Sequence, residues 1–143
     1  MFKFKILPIV VGLPLLVSSC ARKPGKYDLT GVWESKCTEN MSEGDIVLGA
    51  KERNFTEQTT YFADGRFESQ LDIKYFFKDS ILYSGIYKVN REEVQQTTTD
   101  TNNSFFFRDL PSTDTIKLDW IDANTTKLSD GGIQCTSIRV ATN

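Results

Sequence analysis

Few residue types in this chain of 143 residues could do chemistry, and the three cysteines are the most informative of them. There is no histidine, which excludes Ser-His-Asp and Cys-His catalysis and histidine ligands for zinc. Acidic residues are numerous, but no pair has the spacing of a general acid and base. We therefore predict no catalytic residue, no metal site and no cofactor. The net charge of −2 also argues against a nucleic-acid partner.

The first cysteine, Cys20, follows a segment that is built like a secretory signal. Lys3 and Lys5 form a basic front, residues 6–17 are uncharged and mostly apolar, and two serines follow. The apolar run of about twelve residues is shorter than the ~20 that a membrane-spanning helix needs. Residues 1–19 are therefore predicted to be a signal peptide.

The residues Val17–Cys20 (VSSC) resemble the lipobox of bacterial lipoproteins, in which an aliphatic residue and two small residues precede the cysteine. The resemblance implies cleavage before Cys20 and acylation of this residue, with palmitate among the chains. Because Ala21 follows, it also implies the outer membrane, on either its periplasmic or its surface side. Several acyl chains would make the anchor stable, and residues 20–28 would be the lipidated cysteine and a tether. The alternative is an ordinary signal peptide with a chance cysteine.

The other two cysteines, Cys37 and Cys135, form an even pair in a chain that is predicted to be exported. Such a pair predicts a disulfide. It would close a loop of 98 positions, for which loop-entropy models give about 4–5 kcal/mol of stabilisation.

Residues 29–143 are predicted to be one all-β domain. Apolar and polar residues alternate between closely spaced turn residues, which favours antiparallel strands. The clearest strand is Arg66–Phe77, and Asp64-Gly65 before it predicts a hairpin turn. The other predicted strands after the first are Asn54–Phe62, Ile81–Val89 with a bulge at Gly85, Glu92–Thr99, Phe105–Phe107, Thr115–Ile121, Thr125–Ser129 and Ile133–Val140. Eight or nine strands of up-and-down type result.

Two short motifs resemble those of the lipocalin and wider calycin families, and especially of small bacterial lipoproteins with a lipocalin-like domain. They are Gly31–Trp33 (GVW) at the start of the first strand and Phe62–Phe67 (FADGRF) around the hairpin. The resemblance implies an eight-stranded antiparallel up-and-down barrel. It also implies that a late Arg or Lys lies across Trp33, and Arg139 is the candidate.

The pairing of the first strand with the last can be examined from residue numbers. Opposite residues in an antiparallel pair have a constant index sum, and Cys37 with Cys135 gives 172, as does Trp33 with Arg139. One register would therefore serve both the disulfide and a cation–π contact, and it would close the barrel. Chance agreement is the alternative.

Aromatic side chains are predicted to point into the barrel. Besides Trp33 they are Phe67, Tyr75, Phe77, Tyr83, Tyr87 and Trp120. An eight-stranded barrel is just wide enough to be filled by side chains or to hold one small ligand. The rings therefore either line a pocket for an apolar molecule or form a packed core.

The run Phe105–Phe107 is the second aromatic feature. Strand alternation would leave at least one ring pointing away from the core. Such a ring would either contact a membrane or a partner protein, or be buried under a covering segment.

Two functions follow as hypotheses, neither of them enzymatic. The first is a membrane-anchored binding module with a lipocalin-like barrel that holds a small apolar ligand. The second is an envelope interaction protein with a packed core, for example an inhibitor of an exported hydrolase, which uses loops on rigid strands. In both, the membrane is contacted through the lipid on Cys20.

Overall fold

The computed structural model of the protein describes residues 25–40, 52–73 and 80–142. The strands in these ranges are β1 (Gly31–Asn40), β2 (Glu52–Tyr61), β3 (Arg66–Ile73), β4 (Ile81–Asn90), β5 (Glu93–Thr101), β6 (Ser112–Lys117), β7 (Asp119–Asp122), β8 (Thr125–Asp130) and β9 (Ile133–Ala141). None of the described residues forms a helix long and apolar enough to cross a membrane. The predicted lipidation site Cys20 and the predicted lining residues Tyr75 and Phe77 lie outside the described ranges.

All nine strands belong to one antiparallel sheet, and the predicted all-β up-and-down fold is confirmed. The strand order is β6-β5-β4-β3-β2-β1-β9-β8-β7, so every strand lies beside a chain neighbour and β1 also pairs with β9. The sheet curls into a half-barrel, and its inner face carries the core.

The two edges of the sheet, β6 and β7, are separated in the chain by Leu118 alone. All neighbouring strands in the sheet are antiparallel, so the strand order gives β6 and β7 the same direction. We therefore describe β6 and β7 as two halves of one bent strand. The first half pairs with β5 and the second half with β8. The bend is fixed because the Leu118 side chain is buried and its amide donates to the Glu92 carbonyl at 2.7 Å. Counted in this way, the sheet has the eight strands of an up-and-down barrel.

Side chains alternate along β3 as predicted. Phe67, Ser69 and Ile73 are buried, whereas Glu68 and Asp72 on the other face are exposed. The same period of two along the neighbouring strands directs an apolar cluster to the inner face. The buried members of this cluster are Leu29, Trp33, Tyr61, Phe67, Val94, Leu118 and Trp120.

The strand predicted at Phe105–Phe107 is wrong, because these residues form a turn after β5. Asn103 directs the turn: its side-chain oxygen accepts the Phe105 amide at 3.0 Å, and its carbonyl lies 3.4 Å from the Phe107 amide. A polar side chain that bonds to the local backbone competes with sheet pairing. The predicted strand Arg66–Phe77 is described as far as Ile73.

The predicted bulge at Gly85 is confirmed. The register between β4 and β5 shifts between Ser84 and Gly85. A Cβ atom on Gly85 would lie 1.9 Å from the Thr97 carbonyl oxygen, and this oxygen belongs to backbone that the sheet holds in place. Only glycine fits at this point of close approach.

Gly85→Ala should therefore lower the free energy of unfolding by about 3 kcal/mol or more, because β4 or β5 must shift to admit the methyl group. The matched control is Gly25→Ala, since a Cβ atom on Gly25 meets nothing within 4 Å. Thermal unfolding measures both, with an expected decrease of roughly 10 °C for Gly85→Ala. Equal midpoints for the two variants would show that the bulge tolerates a side chain.

Candidate functional site

The first and last strands pair in the register that the sequence predicts. Cys37 lies opposite Cys135 and Trp33 lies opposite Arg139. A disulfide joins the two cysteines, whose Cα atoms are 4.1 Å apart. The Arg139 guanidinium carbon lies 4.7 Å from the centroid of the Trp33 ring, within the range of a cation–π contact. Both predicted pairs are confirmed.

Arg139 also ties three backbone segments together at one end of the sheet. Its guanidinium donates to the carbonyls of Thr30 at 2.6 Å and Ala123 at 3.0 Å, and to that of Asp28. The Trp33 indole N–H donates to the Leu29 carbonyl at 2.7 Å. We call this the sealed end; it consists of residues 25–30 and the turns at 62–65, 91–92 and 123–124.

Arg139→Ala should lower the free energy of unfolding by about 3 kcal/mol or more, because it removes a cation–π contact and charge-assisted donors from three carbonyls. Arg139→Lys should recover only part of the loss, since an ammonium group cannot reproduce the planar fork. Arg66→Ala is the control, because Arg66 is exposed and its partner is the exposed Asp64. Urea unfolding measures all three, and a loss for Arg139→Ala no larger than for Arg66→Ala would contradict the role of Arg139.

The described aromatic residues that were predicted to line a pocket lie on the inner face, where they pack against one another. Phe67 and Trp120 are buried, and Tyr83 and Tyr87 are partly buried. Ring centroids are 5.9 Å apart between Phe67 and Tyr83, and 5.9 Å between Trp33 and Trp120. An inner cavity of about 70 Å³ remains, whereas depressions of about 510 Å³ lie on the outside of the sheet. The rings thus occupy most of the described interior.

A row of polar side chains crosses the inner face. Strand register places Thr126 opposite Ser137, Ser137 opposite Ser35, and Ser35 opposite Glu57. These four residues are called the polar row. The hydroxyls of Ser35 and Ser137 are 2.7 Å apart, and all four residues line the inner cavity.

Glu57 is the acidic member of this row. Its carboxylate accepts a hydrogen bond from the Tyr83 hydroxyl, and the hydroxyls of Thr59 and Ser69, which are 2.6 Å apart and hydrogen-bonded to each other, lie near it. Burial raises the pKa of Glu57 above the usual range, although the hydroxyls of Tyr83, Ser69 and Thr59 oppose the shift. Burial and the nearby Glu57 charge raise the pKa of Tyr83 in turn.

Glu57 is not among the residues predicted from the sequence. It faces inward, between the exposed Thr56 and Gln58, and shares its face with Phe55 and Tyr61, the two apolar residues of β2. The register of β1 and β2 places Glu57 directly opposite the inward-facing Ser35.

The stability of the protein should fall as the pH rises above about 4.5, the ordinary value for Glu57. A carboxyl group whose pKa is raised by folding keeps its proton in the folded state after the unfolded chain has lost it, so the free energy of unfolding decreases until the raised pKa is passed. The chain has no histidine that would titrate in this range. Among the described groups, the Asp64 pKa is shifted downward, and those of Tyr61, Tyr83 and Tyr87 upward from 10.0.

Urea unfolding at pH 5 and pH 8 in amine-free buffer measures this difference. Glu57→Gln should abolish the loss of stability between the two pH values. Glu68→Gln should retain it, because Glu68 is exposed on the outer face of β3. Identical pH dependence in the wild type and Glu57→Gln would contradict the assignment.

The opposite end of the sheet carries residues 102–111, here called the aromatic loop. Phe105 is 67% exposed and Phe106 is 38% exposed. Phe107 instead packs on Tyr83, with ring centroids 5.0 Å apart, and the Arg108 guanidinium lies 5.3 Å from the Phe105 ring. The predicted outward ring is therefore present, although on a turn rather than a strand.

The base of the aromatic loop is held by side-chain hydrogen bonds. The Asn102 side-chain oxygen accepts the Leu82 amide at 2.8 Å, and its nitrogen donates to the Ser80 carbonyl at 3.1 Å. The loop thus presents two aromatic rings from a fixed base. An open depression of about 430 Å³ lies beside them, lined by residues 105–109 and Ser112.

No protein-family model matches the chain, and no curated protein matches it in sequence. The resemblance to lipocalin-like lipoproteins therefore stays a prediction that rests on the GVW and FADGRF motifs.

Proposed function

We propose that the protein is a membrane-anchored, non-enzymatic binding module that contacts an envelope protein through its aromatic loop. The observation that supports this proposal is the exposure of Phe105 and Phe106 on a loop whose base is fixed. Exposed aromatic rings bury a large apolar area on binding, and a loop that is already ordered loses little conformational entropy.

The sealed end and the aromatic loop lie at opposite ends of the sheet, which suits contact with an envelope protein. The chain enters the fold at the sealed end, so an anchor on Cys20 would hold that end near the membrane. The tether from Cys20 to Gly25 spans at most about 17 Å. Strand β1 has ten residues, which corresponds to roughly 25 Å along the axis of a barrel with tilted strands. The aromatic loop would therefore face away from the anchoring bilayer, toward proteins of the envelope.

An interaction protein fits the described interior better than a carrier of an apolar ligand does. Pockets for drug-sized ligands have volumes of about 300–1,000 Å³, and the inner cavity has about 70 Å³. It is also lined by the carboxyl group of Glu57. The functional surface is thus proposed to lie on the outside of the sheet.

The proposal predicts that Phe105→Ser reduces capture of the partner roughly tenfold or more, since truncation of a central aromatic residue costs more than about 1 kcal/mol of binding free energy. Its thermal midpoint should stay within about 3 °C of the wild type, because the ring is largely exposed. The measurement is chemical crosslinking of the lipidated protein in the bacterium that produces it, followed by mass spectrometry. Cys20→Ser should shift the protein from the membrane fraction to the soluble fraction.

The matched control is Ile138→Ser, which removes an apolar side chain that is 51% exposed on β9. Ile138→Ser should leave the crosslinked species unchanged. Equal crosslinking by wild type and Phe105→Ser would contradict the role of the loop, whereas membrane retention of Cys20→Ser would contradict the anchor. Co-purification of a lipid inside the barrel would favour the apolar-ligand hypothesis.

A further inference from the structure

We propose that the carboxyl group of Glu57 and the polar row form a binding site for a small organic cation of the primary alkylammonium class. The site requires neither the lipid anchor nor the aromatic loop, so it goes beyond the proposed function. It also differs in chemistry from the apolar ligand that the lipocalin resemblance implies.

The Glu57 charge has no cationic partner among the described ion pairs, which join Arg53 to Glu39, Arg66 to Asp64 and Lys117 to Glu92. The strand periodicity turns Arg53 and Arg139 toward the inner face. Arg53 pairs with Glu39, and Arg139 is bound to three carbonyls and to the Trp33 ring at the sealed end. Among the described residues, the polar groups next to Glu57 include the hydroxyls of Thr59, Ser69 and Tyr83.

An interior carboxylate without a cation is unfavourable, because desolvation penalises its charge. The raised pKa of Glu57 is the expected consequence. A bound ammonium ion would supply the missing charge and would stabilise the ionised carboxylate. An alkylammonium ligand would therefore neutralise the Glu57 charge, which takes part in none of the described ion pairs.

The cavity wall suits the donors of an ammonium group. Ser35, Ser137 and Thr126 contribute hydroxyl oxygens beside the Glu57 carboxyl group. Each hydroxyl has one proton and two lone pairs, so it retains acceptor capacity after it donates. A primary ammonium group has three N–H donors, which the carboxylate and the hydroxyls can accept.

The rest of the wall suits a short alkyl group. Trp33 and Tyr61 line the same cavity, and aromatic faces attract cations and contact methylene groups. A volume of about 70 Å³ corresponds to roughly two water molecules at liquid density, which limits the ligand to a few heavy atoms. No group of three or more cysteine, aspartate or glutamate residues among the described residues could hold a metal ion, so the donor set favours an organic cation.

Titration of the mature lipidated protein in mild detergent with ethylammonium chloride at pH 8 tests this inference. Binding should be saturable and should shift the indole N–H resonance of Trp33. Glu57→Gln should weaken the affinity roughly tenfold or more, because the charge is lost while the shape is kept. Glu68→Gln removes the same charge from the outer face of β3 and should leave the affinity unchanged.

Ethanol and sodium chloride at matched concentrations are the ligand controls, and both should fail to saturate the site. Absence of saturable ethylammonium binding, or equal affinity in Glu57→Gln, would overturn the proposal. Equal affinity for ethanol would overturn the role of charge, and equal affinity for sodium would overturn the organic class. If Glu57→Gln does not fold, the wild type is titrated at pH 4, where the carboxyl group is protonated and ethylammonium should no longer bind.

Discussion

The pairing of β1 with β9 joins strands from opposite ends of the described fold, and it keeps the sheet curled. Two contacts four residues apart fix its register: a disulfide at Cys37–Cys135 and a guanidinium–indole contact at Trp33–Arg139. A slip of one residue would turn Trp33 to the solvent face, because side chains alternate along a strand. A slip of two residues would keep the faces but would separate the cysteines. Alternation alone would allow the two-residue slip, whereas the disulfide excludes both errors and the Trp33–Arg139 contact holds the same register at the other end of β1.

This pairing also explains the glycine of the GVW motif. Gly31 has a φ of +123°, which L-residues with a side chain rarely adopt, and a Cβ atom there would lie 2.4 Å from the Ala141 carbonyl oxygen. The register of β1 and β9 shifts directly after it, between Val32 and Trp33. The chain can therefore bend at Gly31 into the segment whose carbonyls Arg139 binds. The motif has a local physical cause in this fold, whatever its ancestry.

Most of the strand arrangement could be predicted from the sequence. Alternation, turn residues and the constant index sum of an antiparallel pair can all be taken from residue types and numbers. The strands, the Gly85 bulge and the disulfide follow from them, whereas Arg139 is the partner of Trp33 that the lipocalin resemblance implies, and the index sum agrees with it. The turn at Phe105–Phe107 did not, because three apolar residues suggest a strand unless the capping role of Asn103 is recognised. Glu57 was missed because a carboxylate is normally expected on a solvated face, although its even spacing from Phe55 and Tyr61 along β2 indicates the inner face.

The interior divides along the strands into parts with different roles. Toward the sealed end, Trp33, Phe67 and Leu118 form an apolar cluster whose burial stabilises the fold. The disulfide lies toward the aromatic loop, where Phe55 is paired with Cys37 and Leu128 with Cys135. The polar row, which includes Glu57, lies between the apolar cluster and the disulfide. Its side chains contribute little buried apolar area to the stability of the fold. The apolar cluster on one side and the disulfide on the other offset the unfavourable burial of the Glu57 carboxyl group. A carboxyl group held in this way can bind a ligand that supplies the opposite charge.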